Sequence, residues 1–75
     1  MEYKKYIERN PRILRGKPIL KGTRISVELI MRKVASGYSV DELLVSYPHL
    51  KKEQILAAFE YAATIISNEE ITETT

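Results

Sequence analysis

The segment Arg15-Gly-Lys-Pro-Ile-Leu-Lys-Gly-Thr-Arg-Ile25 constrains this chain more than any other stretch. Two glycines, Gly16 and Gly22, and Pro18 fall inside eleven residues and are interleaved with Ile19, Leu20 and Ile25. That punctuation disfavours a helix and predicts a turning, partly extended path. Its charged members, Arg15, Lys17, Lys21 and Arg24, are all basic. A stiff, positive segment with apolar points suits two roles. It can lie on an anionic partner, or it can be tied down by the body behind it, and the residues alone leave both open.

With 75 residues the chain is expected to form one domain over residues 1–67, ending in an acidic, threonine-rich tail over 68–75. A chain of this size buries only about 60% of the surface exposed by its unfolded form. It has no cysteine to staple a small core, so association into a homodimer is the expected supplement. No run approaches the roughly 18 apolar residues of a membrane span, and the start has no signal-like apolar stretch. The expectation is a cytoplasmic protein without membrane contact.

The net charge of +2 hides a division. Residues 1–24 carry eight basic and two acidic side chains, while residues 25–75 carry four basic and eight acidic ones. Such asymmetry points to a polyanion contact at the front, against the plainer alternative of a solvated surface whose two ends attract.

Along the chain, Tyr3 to Ile7 is expected to start a short extended or helical piece, and Asn10-Pro11 marks a turn. Ile13-Leu14 then reads as one short strand, Ile19-Leu20 as a further contact and Arg24 to Ser26 as a second strand, giving a small hairpin folded over the glycines. Ser26 is the expected cap of a first helix over about 27–36, whose Val27, Ile30, Met31 and Val34 form an inward stripe. Gly37 closes it. Ser39-Val-Asp-Glu42 is a capping-box pattern that opens a second helix to about Ser46, and Tyr47-Pro48 ends that helix. A third helix runs from Lys51 or Lys52 to about Ser67. Its apolar arc is wide, and Glu53, Ala57, Glu60, Thr64 and Ser67 are expected to form its outward line. Two short helices cover only part of such an arc, so Leu56, Phe59, Tyr61, Ala62, Ala63 and Ile66 are the expected dimer interface.

The fold class that follows is mainly α: a three-helix, helix-turn-helix-like domain with a short N-terminal β-hairpin. The stretches Gly16 to Ile25, Gly37-Tyr-Ser-Val-Asp-Glu-Leu-Leu44, Tyr47-Pro-His-Leu50 and Ala57 to Ala62 support a more particular reading. Over about residues 7–66 the chain resembles a family of small, largely uncharacterised prokaryotic proteins with a G-x-P-x-I-x-G-T-R-I signature. The second half of those proteins is homeodomain-like or winged-helix-like. The resemblance implies a VapB-like antitoxin that pairs with a PIN-like ribonuclease toxin and binds its own operator DNA. One departure is that similar sequences place threonine or serine, a helix cap, where Lys51 stands.

Two surfaces then become candidates for nucleic acid or toxin. One is the basic front, with Arg9, Arg12, Arg15, Lys17, Lys21 and Arg24, whose phosphate contacts would make affinity steeply salt-dependent. The other is the start of the third helix, where Lys51, Lys52 and Gln54 would meet base edges if that helix entered a major groove. The two carboxylates on the outward line, Glu53 and Glu60, oppose this. A stand-alone DNA-binding regulator and a protein-interaction module without DNA binding are the alternatives.

Arg24 has a second reading, as a tie between the glycine-rich turn and backbone carbonyls. Enzyme activity is not expected. His49 is the only histidine, and no second histidine or cysteine completes a metal or nucleophilic set. Asp41 and Glu42 are accounted for by the helix start they occupy. No cofactor and no metal are expected.

Overall fold

A computed structural model describes residues 2–70, with side chains placed as far as Ser67. A single turn of 3-10 helix at Tyr3–Lys5 leads into strand β1 (Ile7–Arg9), which pairs antiparallel with β2 (Pro18–Leu20). Three helices follow: α1 (Val27–Ala35), α2 (Val40–Ser46) and α3 (Lys52–Glu70). The expected class, mainly α with an N-terminal hairpin, is the architecture observed. Among the described residues no helix is long and apolar enough to cross a membrane.

The strands are not where the residues suggested. Ile7 pairs with Leu20, Glu8 with Ile19 and Arg9 with Pro18, so the connection is a long loop over 10–17. Ile13 and Leu14 belong to that loop and not to a strand, because the backbone turns left-handed at Leu14 and Arg15 and cannot continue extended. Arg24 to Ser26 comes back beside β2 but makes only one bridge, Ser26 to Ile19, together with an N–H from Leu20 to the Ile25 carbonyl (2.9 Å). The central strand is therefore β2, and Ile19 and Leu20 are fully buried on it.

The helix ends follow local chemistry. Ser26 Oγ accepts from the Leu29 N–H at 2.9 Å and caps α1. At its other end the Tyr38 N–H donates to the Lys33 carbonyl and the Gly37 N–H to that of Val34, with Gly37 at φ +106. That pair of bonds satisfies carbonyls left open by the last turn and needs the left-handed residue that glycine supplies. The Ser39–Glu42 capping box is present in both directions, at 3.1 and 2.8 Å. At α3 half of such a box survives without a hydroxyl at Lys51, since Gln54 Oε1 accepts from the Lys51 N–H at 2.7 Å.

The core gathers Ile7 and Leu20 from the hairpin, Val27 and Ile30 from α1, Leu43 from α2, Leu50, and Ile55, Ala57 and Ala58 from α3. Ala57 is the main correction to the sequence reading of α3. It is fully enclosed, and the outward line is Glu53, Leu56, Glu60, Ala63 and Ser67. The inward face of α3 centres between Ala57 and Ala58, where small side chains let the helix approach its neighbours closely. A count of large apolar residues places that face wrongly. Beyond Thr64 the helix overhangs the body. Ile65 is exposed although it shares a face with buried Ala58, and α3 continues three residues past the expected end, to Glu70. The remainder of the expected tail, 71–75, lies outside the described residues.

The turn after β2 is held by Thr23. Its hydroxyl donates to the Leu20 carbonyl at 2.8 Å and accepts from the Ile25 N–H at 2.9 Å. Glu8 adds a longer bond from the Gly22 N–H at 3.4 Å, and Gly22 takes φ +82. Arg24 is exposed and, among the described residues, makes no side-chain hydrogen bond or ion pair, so the tie it was offered for belongs to Thr23. Thr23→Val is expected to cost about 1–2 kcal/mol by leaving the partly buried Ile25 amide unpaired. Arg24→Ala should stay within about 0.5 kcal/mol of the natural chain. Midpoints of urea unfolding separate the two, and equal midpoints would contradict this account of the turn.

Candidate interaction site

Leu14 and Arg15 adopt φ +50 and +58, and Gly16 follows at +82. For glycine this costs little, but for a leucine and an arginine the left-handed conformation costs on the order of 1–2 kcal/mol each. The kink is held by N–H bonds from Gly16 to the Ile13 carbonyl and from Lys17 to that of Leu14, at 3.0 and 3.2 Å. It turns the Leu14 side chain outward, where it is 42% exposed.

Beside it lies an open groove of about 480 Å³ between the hairpin loop and the first turns of α1. Leu14 and Leu29 provide its apolar lining, and Arg15, Lys17 and Arg32 surround it together with Glu28. Glu28 organises the charges: Oε1 accepts from Lys17 Nζ at 2.8 Å and Oε2 from Arg32 Nε at 3.1 Å. Hydrogen bonds from Lys17 and then Arg32, reinforced by their positive charge, lower the Glu28 pKa below its ordinary value of 4.5.

A depressed carboxylate pKa stabilises the fold above the unfolded value, and that contribution is lost as pH falls through the folded value. Thermal melts of the natural chain and of Glu28→Gln should therefore differ above pH 4.5 and converge as the solution is acidified. The groups are exposed, so the difference should be small and shrink with salt. A difference that grew on acidification would contradict the pairing.

The structure divides the residues that sequence put forward. Arg15 and Lys17 meet at the groove. Arg12 is exposed in the same loop, its backbone N–H bonded to Asn10 Oδ1 at 2.9 Å. Arg9 points elsewhere, donating from Nη2 to the Tyr61 hydroxyl at 3.0 Å, and Tyr61 in turn meets Tyr3 edge-on with ring centres 5.6 Å apart. That trio clamps the front of the chain onto α3, so Tyr61 has its partners within the chain. Lys21 and Arg24 are exposed at the opposite end of β2 from the groove.

Lys51 and Lys52 are exposed at the start of α3. Lys52 precedes Tyr61 by nine residues, and therefore lies about 14 Å along the helix from the level of Arg9. Gln54 is half-buried and its carbonyl oxygen is committed to the Lys51 amide, whereas adenine readout needs both ends of the side-chain amide. Of the expected interface, Leu56 and Ala63 lie on the outward line, Phe59 and Ile66 flank it, and Ala62 is half-buried towards the body.

Sequence reasoning missed Leu14, Glu28, Leu29 and Arg32. The spacing of Glu28 and Arg32, one helical turn apart, was a legible pairing signal. The meeting of that pair with Lys17, and the outward turn of Leu14, had no local signature.

A family model described as a protein of unknown function, DUF433, matches residues 7–62, from β1 to the middle of α3. An uncharacterised protein, y4eO, of Sinorhizobium fredii (strain NBRC 101917 / NGR234) is 42% identical over 53 residues, which is 71% of this chain and 24% of the relative. The chain thus spans about a quarter of the length of that relative. No solved structure matches. The matched span takes in the hairpin, the groove, the turn held by Thr23 and the helices that carry the core, and on that match the chain belongs to the DUF433 family.

Proposed function

We propose that this protein is a non-enzymatic, antitoxin-like regulator that holds a protein partner at the hairpin-loop end. The observation that supports this is the mixture in the groove, with exposed Leu14 and Leu29 among Arg15, Lys17 and Arg32. A nucleic-acid backbone offers charge but nothing apolar for the leucines, whereas protein interfaces combine apolar centres with charged rims. In the VapB-like reading the partner is a PIN-like ribonuclease toxin, which holds its metals with clustered carboxylates. Arg12 and Arg15 are exposed in the same loop and, among the described residues, have no ion-pair partner, so their guanidinium forks are available to such carboxylates.

A homodimer through α3 fits the same reading. Leu56, Ala63 and Ile66 are exposed there, and Val45 on α2 is 81% exposed. The second reading is a stand-alone regulator that binds DNA. It is favoured by the eight basic against two acidic side chains of residues 1–24.

Co-expression with the product of the neighbouring reading frame, followed by gel filtration, tests the first reading. The expected result is a complex that persists at micromolar concentration and suppresses ribonuclease activity of the partner. Absence of a complex, together with salt-sensitive binding to upstream DNA, would replace it with the second.

A further inference from the structure

We infer that the groove between the hairpin loop and α1 is a receptor for an acidic peptide segment of a partner protein, one carrying an aliphatic side chain between carboxylates. This deepens the protein-binding reading and rests on it. A reach of arginines into a partner's metal site needs only protruding side chains. The groove is a concavity of about 480 Å³, inside the range of roughly 300–1,000 Å³ that ordinarily receives a ligand.

Three observations specify the occupant. The first is apolar. Leu14 is held outward by a left-handed backbone that a leucine adopts only at a cost, and conformations of that kind persist at ligand clamps. With Leu29 it makes a greasy lining that one aliphatic side chain would cover.

The second is charge. Arg15, Lys17 and Arg32 stand against the single carboxylate of Glu28, so the groove is positive, and an acidic segment complements it.

The third is preorganisation. Glu28 takes one donor from Lys17 and one from Arg32, which draws both side chains to the groove and leaves most of their N–H groups to meet an incoming carboxylate. Duplex DNA fits less well. Its phosphates could pair with the cations but would leave both leucines against water.

The test titrates the full chain against a fluorescein-labelled peptide, Glu-Asp-Leu-Asp-Glu, by anisotropy at low salt. A control peptide carries serine in place of leucine, and a labelled random DNA duplex is run in parallel. The expected result is a Kd below about 1 mM for the leucine peptide and at least about five-fold weaker binding of the serine peptide.

Leu14→Gly should weaken leucine-peptide binding about five-fold or more while the fold is kept, because glycine accepts the backbone angle of Leu14 without penalty. Leu29→Ser, at an exposed helical position, is the second apolar variant, and Arg15→Gln with Arg32→Gln removes the charge. Circular dichroism melts verify folding of each.

Equal binding of the two peptides, or folded variants that bind as the natural chain does, would overturn the proposal. So would tighter binding of the duplex that is lost in the same variants, which would assign the groove to nucleic acid. The two readings fail separately. If Leu14→Gly and Leu29→Ser still form the full complex in gel filtration, the groove proposal falls while the protein-partner reading stands. If the natural chain forms no complex, the latter falls.

Discussion

Ala57→Glu will leave this protein without a cooperative fold. Ala57 is fully enclosed on the inward face of α3, among the side chains that join the three helices to the hairpin. A carboxylate placed there has no cationic partner, since the core cluster around it is apolar. It must either be buried charged or shift its pKa upward and be buried neutral, and both cost several kcal/mol. The longer side chain adds overpacking of about 1–3 kcal/mol. A domain below about 70–80 residues commonly has only about 3–5 kcal/mol in total, so the substitution consumes it.

The contrast makes the experiment decisive. On the outward line expected from sequence, the same substitution would be a surface change worth no more than about 0.5 kcal/mol. Ala63→Glu, at a position exposed on α3, should behave in that way. Circular dichroism melts and amide shift dispersion of the two variants report the difference. A sigmoidal melt of Ala57→Glu near that of the natural chain would mean that α3 is rotated from the orientation described.

The second large effect is expected at Ile30. This side chain is fully buried on α1, in the same cluster as Leu20, Leu43 and Ile55. Truncation to alanine removes its transfer energy and leaves a cavity, for which buried isoleucines lose about 2–5 kcal/mol. For a chain of this length each kcal/mol moves the melting temperature by about 4–8 °C, so a drop of at least roughly 8 °C is expected. Val34→Ala on the same helix should cost far less, because Val34 is exposed although the helical spacing places it on the inward stripe. If the two alanine variants have the same urea midpoint, α1 is not seated on the core as described.

These two positions mark how far residue patterns reach. The stripe of Val27, Ile30 and Met31, the Ser26 cap, the Ser39–Glu42 box and the closure at Gly37 were all legible, because each depends on groups within one or two turns of chain. The existence of a hairpin was legible from the glycines and proline. Its pairing was not. β1 begins at Ile7, and its partner lies across an irregular loop whose left-handed step at Leu14 and Arg15 has no glycine to announce it.

At α3 the large apolar residues were a poor guide. Ala57 and Ala58 are buried because small side chains allow close approach, while Leu56, Ile65 and Ile66 are exposed because the helix turns them outward or carries them past the body. Of the candidate site, Arg15 and Lys17 were named from the charge pattern, and Arg32, Glu28 and both leucines were not.

Sequence by itself determined the class of fold, the number of helices and most of their ends, together with the concentration of positive charge in the first third of the chain. Periodicity, capping and net charge are local or additive properties, so they can be read without knowing what touches what. Tertiary structure alone decided which strands pair, which face of α3 is inward and that Lys17 joins the Glu28–Arg32 pair. Those are contacts between segments far apart in the chain, and their geometry is set by how closely two backbones approach.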